Sequence, residues 1–565
     1  MTDPSGKSDE HGKPARSVSA IARNLKESTQ PSDDEAITLQ GNFSQRIIAN
    51  TFFNFLGRFW SFAATILLTP FILHYLNDSE FGVWVILSVL LNSTGLLDLG
   101  LGSSFVKFIS AYYTYEDYPK INKVLFSGLV FYALHGAILL VVGLAVKPLF
   151  FSAFDVSAIG GVSEAYIYIL IACMIGNFGT MFSSVFRGIQ RMDRANAIDM
   201  AMSVLNVAGT VAVLKAHLGL QGLALNAIAN AILYVAISWY SVRRALPAIS
   251  LGFHFDGGLL KEMFTYGTQI LVSRVGGLAC FQLDKLIAAK FLGIAAVKFY
   301  EVSARMATLM RALPLLMMSA IIPAASELGV RNEKEKIIRT YVMTSKYVAL
   351  ITIGLVGFMV LEADSVLRLW LGARFDVRSV MILQILAIGY GANVLGGAAS
   401  QIGAGVGRPE FDMQSTILLT VLSPILGIAL VQRFGAPGAA AGTAVALIIS
   451  ATYLLIMFHR KYVETPVEGM FRDIHIRPVV SGLVAIFAAT GLHRLFHIMD
   501  SLREVRYLIP AKLAVDFVLF SSVYLVFLMV LKQITAMDRR NFMGLMTFGF
   551  EFLRHPFRER VRIYR

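Results

Sequence analysis

The sequence predicts an all-α polytopic membrane protein of about fourteen transmembrane helices, built as two pseudo-symmetric six-helix lobes followed by two C-terminal helices. Three observations predict it. Apolar residues make up 56% of the chain and charged residues only 15%. Apolar runs of about 20 residues, enough to cross about 30 Å of hydrocarbon, recur along its length. Landmarks of one half also return 216 positions later, beginning with Arg58 and Arg274 (274 − 58 = 216).

Residues 1–45 are polar and mixed in charge, with Lys7, Lys13, Arg16, Asp33, Asp34 and Glu35 among them. They read as a disordered tail. No short apolar core precedes a cleavage site, so the first span is expected to act as the targeting signal. The first lobe, 46–245, holds spans at 46–74, 82–109, 122–146, 163–186, 197–215 and 219–242. The second, 262–460, holds spans at 262–291, 295–323, 340–361, 378–404, 413–432 and 436–458. Two further spans, 478–498 and 508–531, occupy residues 478–531, and a basic tail runs from 532 to 565. A backbone in lipid must satisfy its own polar groups, and continuous runs of this length do so as helices.

Further correspondences support the offset. Gly219-Leu220-Gln221-Gly222 matches Gly435-Ala436-Pro437-Gly438 (435 − 219 = 216), Leu76 falls on Leu292, and Arg244 falls on Arg460. One residue out of step, Gly188-Ile189-Gln190-Arg191 matches Gly405-Val406-Gly407-Arg408 (405 − 188 = 217). A repeat with an even number of helices keeps its orientation, so its axis is expected along the bilayer normal, as in transporters built from parallel repeats.

The net charge of +13 invites a nucleic-acid reading, which its distribution contradicts. With the N-terminus cytoplasmic, about 32 Lys and Arg fall on cytoplasmic segments and about 12 on the other side, which orients both termini inward. The tail arginines Arg539, Arg540, Arg554, Arg558, Arg560, Arg562 and Arg565 alternate with Phe542, Phe548, Phe550 and Phe552. They suit anionic lipid, or a solvated tail that sets topology. Cys173 and Cys280 lie within spans and read as small packing residues.

Charge inside the spans is the functional signal. A guanidinium in mid-membrane costs roughly 2.5–3.5 kcal/mol even on the lenient insertion scale, so it is rarely kept without use. Arg58 stands about 18 Å along the first span, and Arg274 at a similar depth in the seventh. Both are expected to face a central cavity between the lobes, where arginine's planar fork suits an anionic, phosphate-bearing substrate. The alternative is a buried ion pair with Asp284 or Glu301. Arg311 is a further cavity candidate, whereas Arg305 and Glu301, four apart, can neutralise each other. Asp284 and Lys285 are adjacent and point in different directions, one toward substrate and one toward structure. Asn50 and Asn54 extend the Arg58 stripe or bond between helices. Asp98 reads as structural, and Asp516 as a lone acid without a role. Pro314 and Pro323 interrupt the eighth span and Pro424 the eleventh, and a bend in the eighth could serve a gate.

Several segments resemble one family. YLNDSEFGVWVILSVLLNSTGLLDLGLGSSFVK at 75–107 resembles the second-helix region of polysaccharide-exporting flippases of the Wzx type, within the multidrug/oligosaccharidyl-lipid/polysaccharide (MOP) exporter superfamily. FRGIQRMDRANAI at 186–198 is similar to that family's fourth-to-fifth-helix loop. The stretch 266–293 resembles its seventh helix, with the aspartate at Asp284. The stretch 300–328 resembles its eighth, with Arg305 and Pro323. The resemblance covers most of 45–460. It implies a bacterial inner-membrane protein that turns a polyprenyl-diphosphate-linked oligosaccharide from the cytoplasmic to the outer leaflet. Its partners would be that lipid-linked substrate, membrane lipids, and the polymerase and glycosyltransferases of the same pathway. No cofactor and no enzymatic activity are implied.

Two rivals remain at this point. A cation-coupled multidrug exporter of the same superfamily would favour acidic cavity residues, while the mid-span charge here is mainly arginine. A membrane polymerase or glycosyltransferase would carry a sizeable extramembrane loop, while each connection here is about twenty residues or shorter. The chain has no HExxH and no GxxxxGK[ST], so direct ATP hydrolysis is not expected. A scaffold without transport leaves the intramembrane arginines unexplained.

Overall fold

The computed structural model describes residue 60, residues 62–92, 100–318, 321–331, 333–464, 471–496 and 508–534, and residue 538. The side chains of 269–280, 316–317, 323–324 and 493–496 are outside that description. Among the described residues every regular element is helical. The readings made for the two tails, and for Asn50, Asn54, Arg58 and Asp98, fall outside the described residues.

The helices follow the expected spans. They are α1 (Phe62–Tyr75), α2 (Asp78–Asn92), α3 (Leu101–Thr114), α4 (Tyr118–Phe154), α5 (Val162–Gly188), α6 (Met192–Lys215) and α7 (Gly219–Ala245). Next come α8 (Gly257–Leu292), α9 (Val297–Met318), α10 (Ile321–Val330), α11 (Lys334–Leu371), α12 (Arg378–Leu395) and α13 (Gly397–Gly405). The last three are α14 (Glu410–Phe458), α15 (Arg477–Phe496) and α16 (Ile509–Val530). Among the described residues, nine helical segments are long and apolar enough to cross a membrane. The charge-bearing α8 and α9 are not among the nine.

Local chemistry sets several starts. Asn77 and Glu80 form a reciprocal capping box at α2, each accepting the other's backbone N–H at 2.9 Å. Asp117 caps α4 by accepting from the Lys120 N–H, and Asp256 caps α8 by accepting from the Leu259 N–H, both at 3.1 Å. Gly100, with φ of 79°, opens α3 in the left-handed region that favours glycine.

Packing divides the helices. α2 to α7 form one set, with α5 against α2, α3, α4 and α7, and α2 also packs on α8, on α9 and on the turn between them. α9 to α14 pack among themselves, with α12 against α9, α11 and α14. α8 touches both sets, since it packs on α14 and also on α3 and α4. α15 and α16 lie against α11. In lipid such contacts depend on close fit, and small residues allow it. A Cβ on Gly442 would come within 2.6 Å of the Gly427 Cα, so the two halves of α14 meet backbone to backbone.

The matched turns share detail. Gly219 and Gly435 both have positive φ, 54° and 64°. Ile189 donates to Val185 and Arg191 to Phe186; in the same manner Val406 donates to Ile402 and Arg408 to Gly403. Arg191 then pairs with Asp193, and Arg408 with Glu410.

Two expected breaks differ. α9 runs helically through Pro314 to Met318, and residues 319–320 lie outside the described residues. Pro323 lies within the helical residues of α10. α14 likewise continues through Pro424, and its non-helical residue is Gly435.

Candidate functional site

A buried polar cluster lies where α8, α9 and α1 meet. Glu301 on α9 is nearly buried and faces two cations. Lys285 Nζ of α8 stands 2.8 Å from one carboxylate oxygen, and Arg305 Nε, one turn along α9, donates to the other at 2.5 Å. Arg305 also donates to the Thr69 hydroxyl of α1 at 2.7 Å, and the Thr69 hydroxyl in turn donates a hydrogen bond to the Thr65 carbonyl. A single carboxylate therefore serves two cations, and the trio carries a formal charge of +1. The Lys285 and Arg305 side chains keep 13% and 21% of their surface exposed, against 4% for Glu301.

The neighbour of Lys285 turns the other way. Asp284 is buried and accepts from the Tyr300 hydroxyl at 2.8 Å and from Ser423 of α14 at 3.4 Å. A helix advances about 100° per residue, so adjacent side chains meet different partners. Asp284 thus ties α8 to α9 and α14, while Lys285 joins the Glu301 cluster.

Farther along α9, the Arg311 guanidinium lies 4.3 Å from the Phe281 ring and 5.4 Å from the Tyr390 ring. The two rings meet edge to face at 5.4 Å. This arrangement orients a cation through the negative ring faces. Arg274 occupies α8 two turns before Phe281 and three before Lys285, with its side chain outside the description. The structure therefore gathers Lys285, Arg305 and Glu301 directly, places Asp284 beside them, and sets Arg311 on a ring of the same α8. Pro314 is buried in α9 below Arg311.

Sequence reasoning missed several participants. Thr69, Tyr300, Ser423, Phe281 and Tyr390 carry no charge, and their roles depend on how helices cross. One reading needs correction: Asp516 is not a lone acid. Lys512, one turn earlier on α16, donates to Asp516 at 2.8 Å, to Glu362 of α11 at 2.5 Å and to Ser365 at 3.1 Å. All three charged groups are fully buried, and α11 departs from helical geometry at Glu362. The i, i+4 spacing of Lys512 and Asp516 was the available signal. Cys173 is buried near the Leu90 carbonyl, as a packing residue would be.

At the end where α1 joins α2, polar contacts cross between the two sets. Lys298 pairs with Asp78 at 2.8 Å, and Trp370 donates its indole N–H to the Ile66 carbonyl at 2.7 Å. Arg374 reaches the carbonyls of His74 and Leu76. In the connection before α12, outside the spans, the Arg378 fork grips Asp376 and holds its carboxyl below the ordinary range.

Known proteins share this architecture. The chain is 25% identical over 427 residues to the "Putative O-antigen transporter" of Shigella flexneri, covering 73% of this chain and 98% of that one. Its fold is similar to the lipid II flippase MurJ in an inward closed conformation, with a TM-score of 0.65 and 14% identity over 85% of this chain and 98% of that chain. It is also similar to an inward-facing multidrug resistance MATE family transporter of the MOP superfamily, with a TM-score of 0.62 and 18% identity over 74% of this chain and 96% of that chain. At such identities these two likenesses show the fold alone. A family model described as "Polysaccharide biosynthesis protein" matches residues 74–380, more than half of the chain and the whole of the α8–α9 charge cluster. The chain is therefore a multi-pass membrane protein that belongs to the polysaccharide biosynthesis protein family.

Proposed function

We propose that the protein is a flippase of the Wzx type. It moves a polyprenyl-diphosphate-linked oligosaccharide across a bacterial inner membrane for exopolysaccharide, capsule or O-antigen synthesis. The observation that carries this reading is the excess positive charge buried on α8 and α9, within the segment matched by the family model. The relatives named above are a transporter and a flippase, not enzymes, which agrees with a non-catalytic role.

The physical problem is the headgroup. Its diphosphate and sugars cannot cross hydrocarbon unaided, whereas the lipid tail can stay in the bilayer. Arg58, Arg274, Arg305, Arg311 and Lys285 would offer the diphosphate a cationic resting place, with Asn50 and Asn54 extending it. Glu301 neutralises part of that charge, so the site need not hold a dianion too tightly to release it. Asp284 keeps α8 seated on α14. Two six-helix lobes, 46–245 and 262–460, would alternate around this site with both termini in the cytoplasm. A bend at Pro314 and Pro323 would serve the gate. The polymerase and glycosyltransferases of the same pathway are the expected partners.

The test is leaflet-resolved movement of a lipid-linked oligosaccharide in proteoliposomes. Arg274→Gln and Arg58→Gln, expressed at normal levels, are expected to lose transport; full transport by both would overturn the cationic site. Growth complementation of a flippase-deficient strain, set against a drug-sensitivity assay, separates this function from multidrug export.

A further inference from the structure

α3 has two unlike faces. Leu101, Ser104, Phe105 and Ile109 are buried, and Ser104 donates to the Met263 carbonyl of α8 at 2.7 Å. On the opposite face Ser103, Lys107, Ser110 and Thr114 follow at spacings of four, three and four, which form one stripe along a helix. With Tyr266 of α8 they line an open groove of about 680 Å³. The volume falls within the range that holds small ligands.

The groove's cation is held in an unusual way. A lysine near the end of a membrane helix ordinarily extends toward water. Here the Lys107 ammonium lies 3.9 Å from the Tyr266 ring centroid and 5.5 Å from that of Phe108. Among the described residues it makes no ion pair. Asp117, beyond the end of α3, pairs instead with Lys120 at 2.8 Å. Glu262 lies one turn before Tyr266 on α8. The Thr114 hydroxyl donates to the Ser110 carbonyl at 2.9 Å, which leaves its oxygen as an acceptor. The stripe thus offers an oriented positive charge, the Ser110 hydroxyl, the Thr114 oxygen and an aromatic face, groups suited to a phosphorylated sugar.

We propose that this groove receives the sugar-diphosphate headgroup of the lipid-linked glycan before it reaches the α8–α9 cluster. Lys107 takes a phosphate oxygen, Ser110 and the Thr114 oxygen meet sugar hydroxyls, and Tyr266 steers the ammonium and supports a sugar ring. The inference rests on the function proposed above and adds a second, earlier contact to it.

Binding of three probes to the purified full-length chain tests it: farnesyl-diphosphate-linked N-acetylglucosamine, inorganic pyrophosphate and dioctanoyl phosphatidylglycerol. For the sugar probe, Lys107→Gln is expected to weaken affinity about tenfold, the scale of one lost charge-assisted hydrogen bond. Lys107→Arg should recover most of the loss, and Tyr266→Ala should weaken binding severalfold. Pyrophosphate should bind more weakly than the sugar probe. Unchanged elution and melting of the variants show that they fold. If the natural chain binds the sugar probe and both Lys107→Gln and Tyr266→Ala bind it equally well, the groove is no entry site while the flippase reading stands. If the natural chain binds no sugar probe, both readings fail. Lys107-dependent binding of phosphatidylglycerol as tight as that of the sugar probe would make the groove a lipid headgroup site and overturn the proposal.

Discussion

Glu301 sits between two cations, and that position sets its energetics. Removing one partner of a buried ion pair leaves the other charge uncompensated, at a cost of about 3–5 kcal/mol. Glu301→Gln should therefore lower stability by that order in a detergent melting experiment, because Lys285 and Arg305 would lose their shared acid. Adding Lys285→Met to Glu301→Gln should recover part of the loss, since one unpaired cation is removed; no recovery would show that the cluster is not the source. The Arg305 pairing was legible in the sequence because four residues make one helical turn. The Lys285 pairing was not, for it depends on the crossing of α8 and α9. The same limit hid Tyr300 and Ser423, which direct Asp284 away from Lys285. Charge at mid-span was visible from residue type, while its partners were decided by tertiary contact.

Helix positions were legible because hydrocarbon thickness fixes the length of an apolar run. Breaks were harder to place. Proline was expected to interrupt α9 and α14, yet both continue through Pro314 and Pro424, since neighbouring helices and local adjustment can support a membrane helix that carries a proline. The non-helical point within α14 is Gly435, where φ is 64° and a side chain would be strained. Gly435→Ala should cost about 1–3 kcal/mol from backbone conformation alone, because φ of 64° with ψ of −143° is a region essentially reserved for glycine. Gly100→Ala should cost more, because its φ is 79° and a Cβ would meet the Gly267 carbonyl oxygen at 2.1 Å. Comparative melting of the two variants checks the order; equal losses would show that the α3–α8 approach yields without penalty. At the same scale, Lys512→Met should loosen α16 from α11, by about 3–5 kcal/mol for a broken buried pair. Limited proteolysis near α16 reads that loss.

For the molecule as a whole, the sequence repeat predicted matching turns, and the loops at 188–191 and 405–408, one residue out of step with the 216 offset, carry the same backbone hydrogen bonds. The contacts across the two sets were not legible, because nothing in the offset says which ends meet. Lys298–Asp78 joins the sets at the start of α2, while Trp370–Ile66 and Arg305–Thr69 tie α1 to α11 and α9. Transport by alternating access requires a state in which such contacts separate. A tether there should consequently stop turnover, whereas a chain that works without separating its halves would tolerate one. Asp78→Cys and Lys298→Cys, in a background with Cys173 and Cys280 replaced by alanine, can be joined by a short thiol-reactive linker. The expected result is loss of leaflet-resolved transport on linking and recovery when a reducible linker is cleaved, with each single cysteine variant insensitive to the reagent. Full transport by the linked protein would show that this end stays closed throughout the cycle, and would remove alternating access across it from the mechanism.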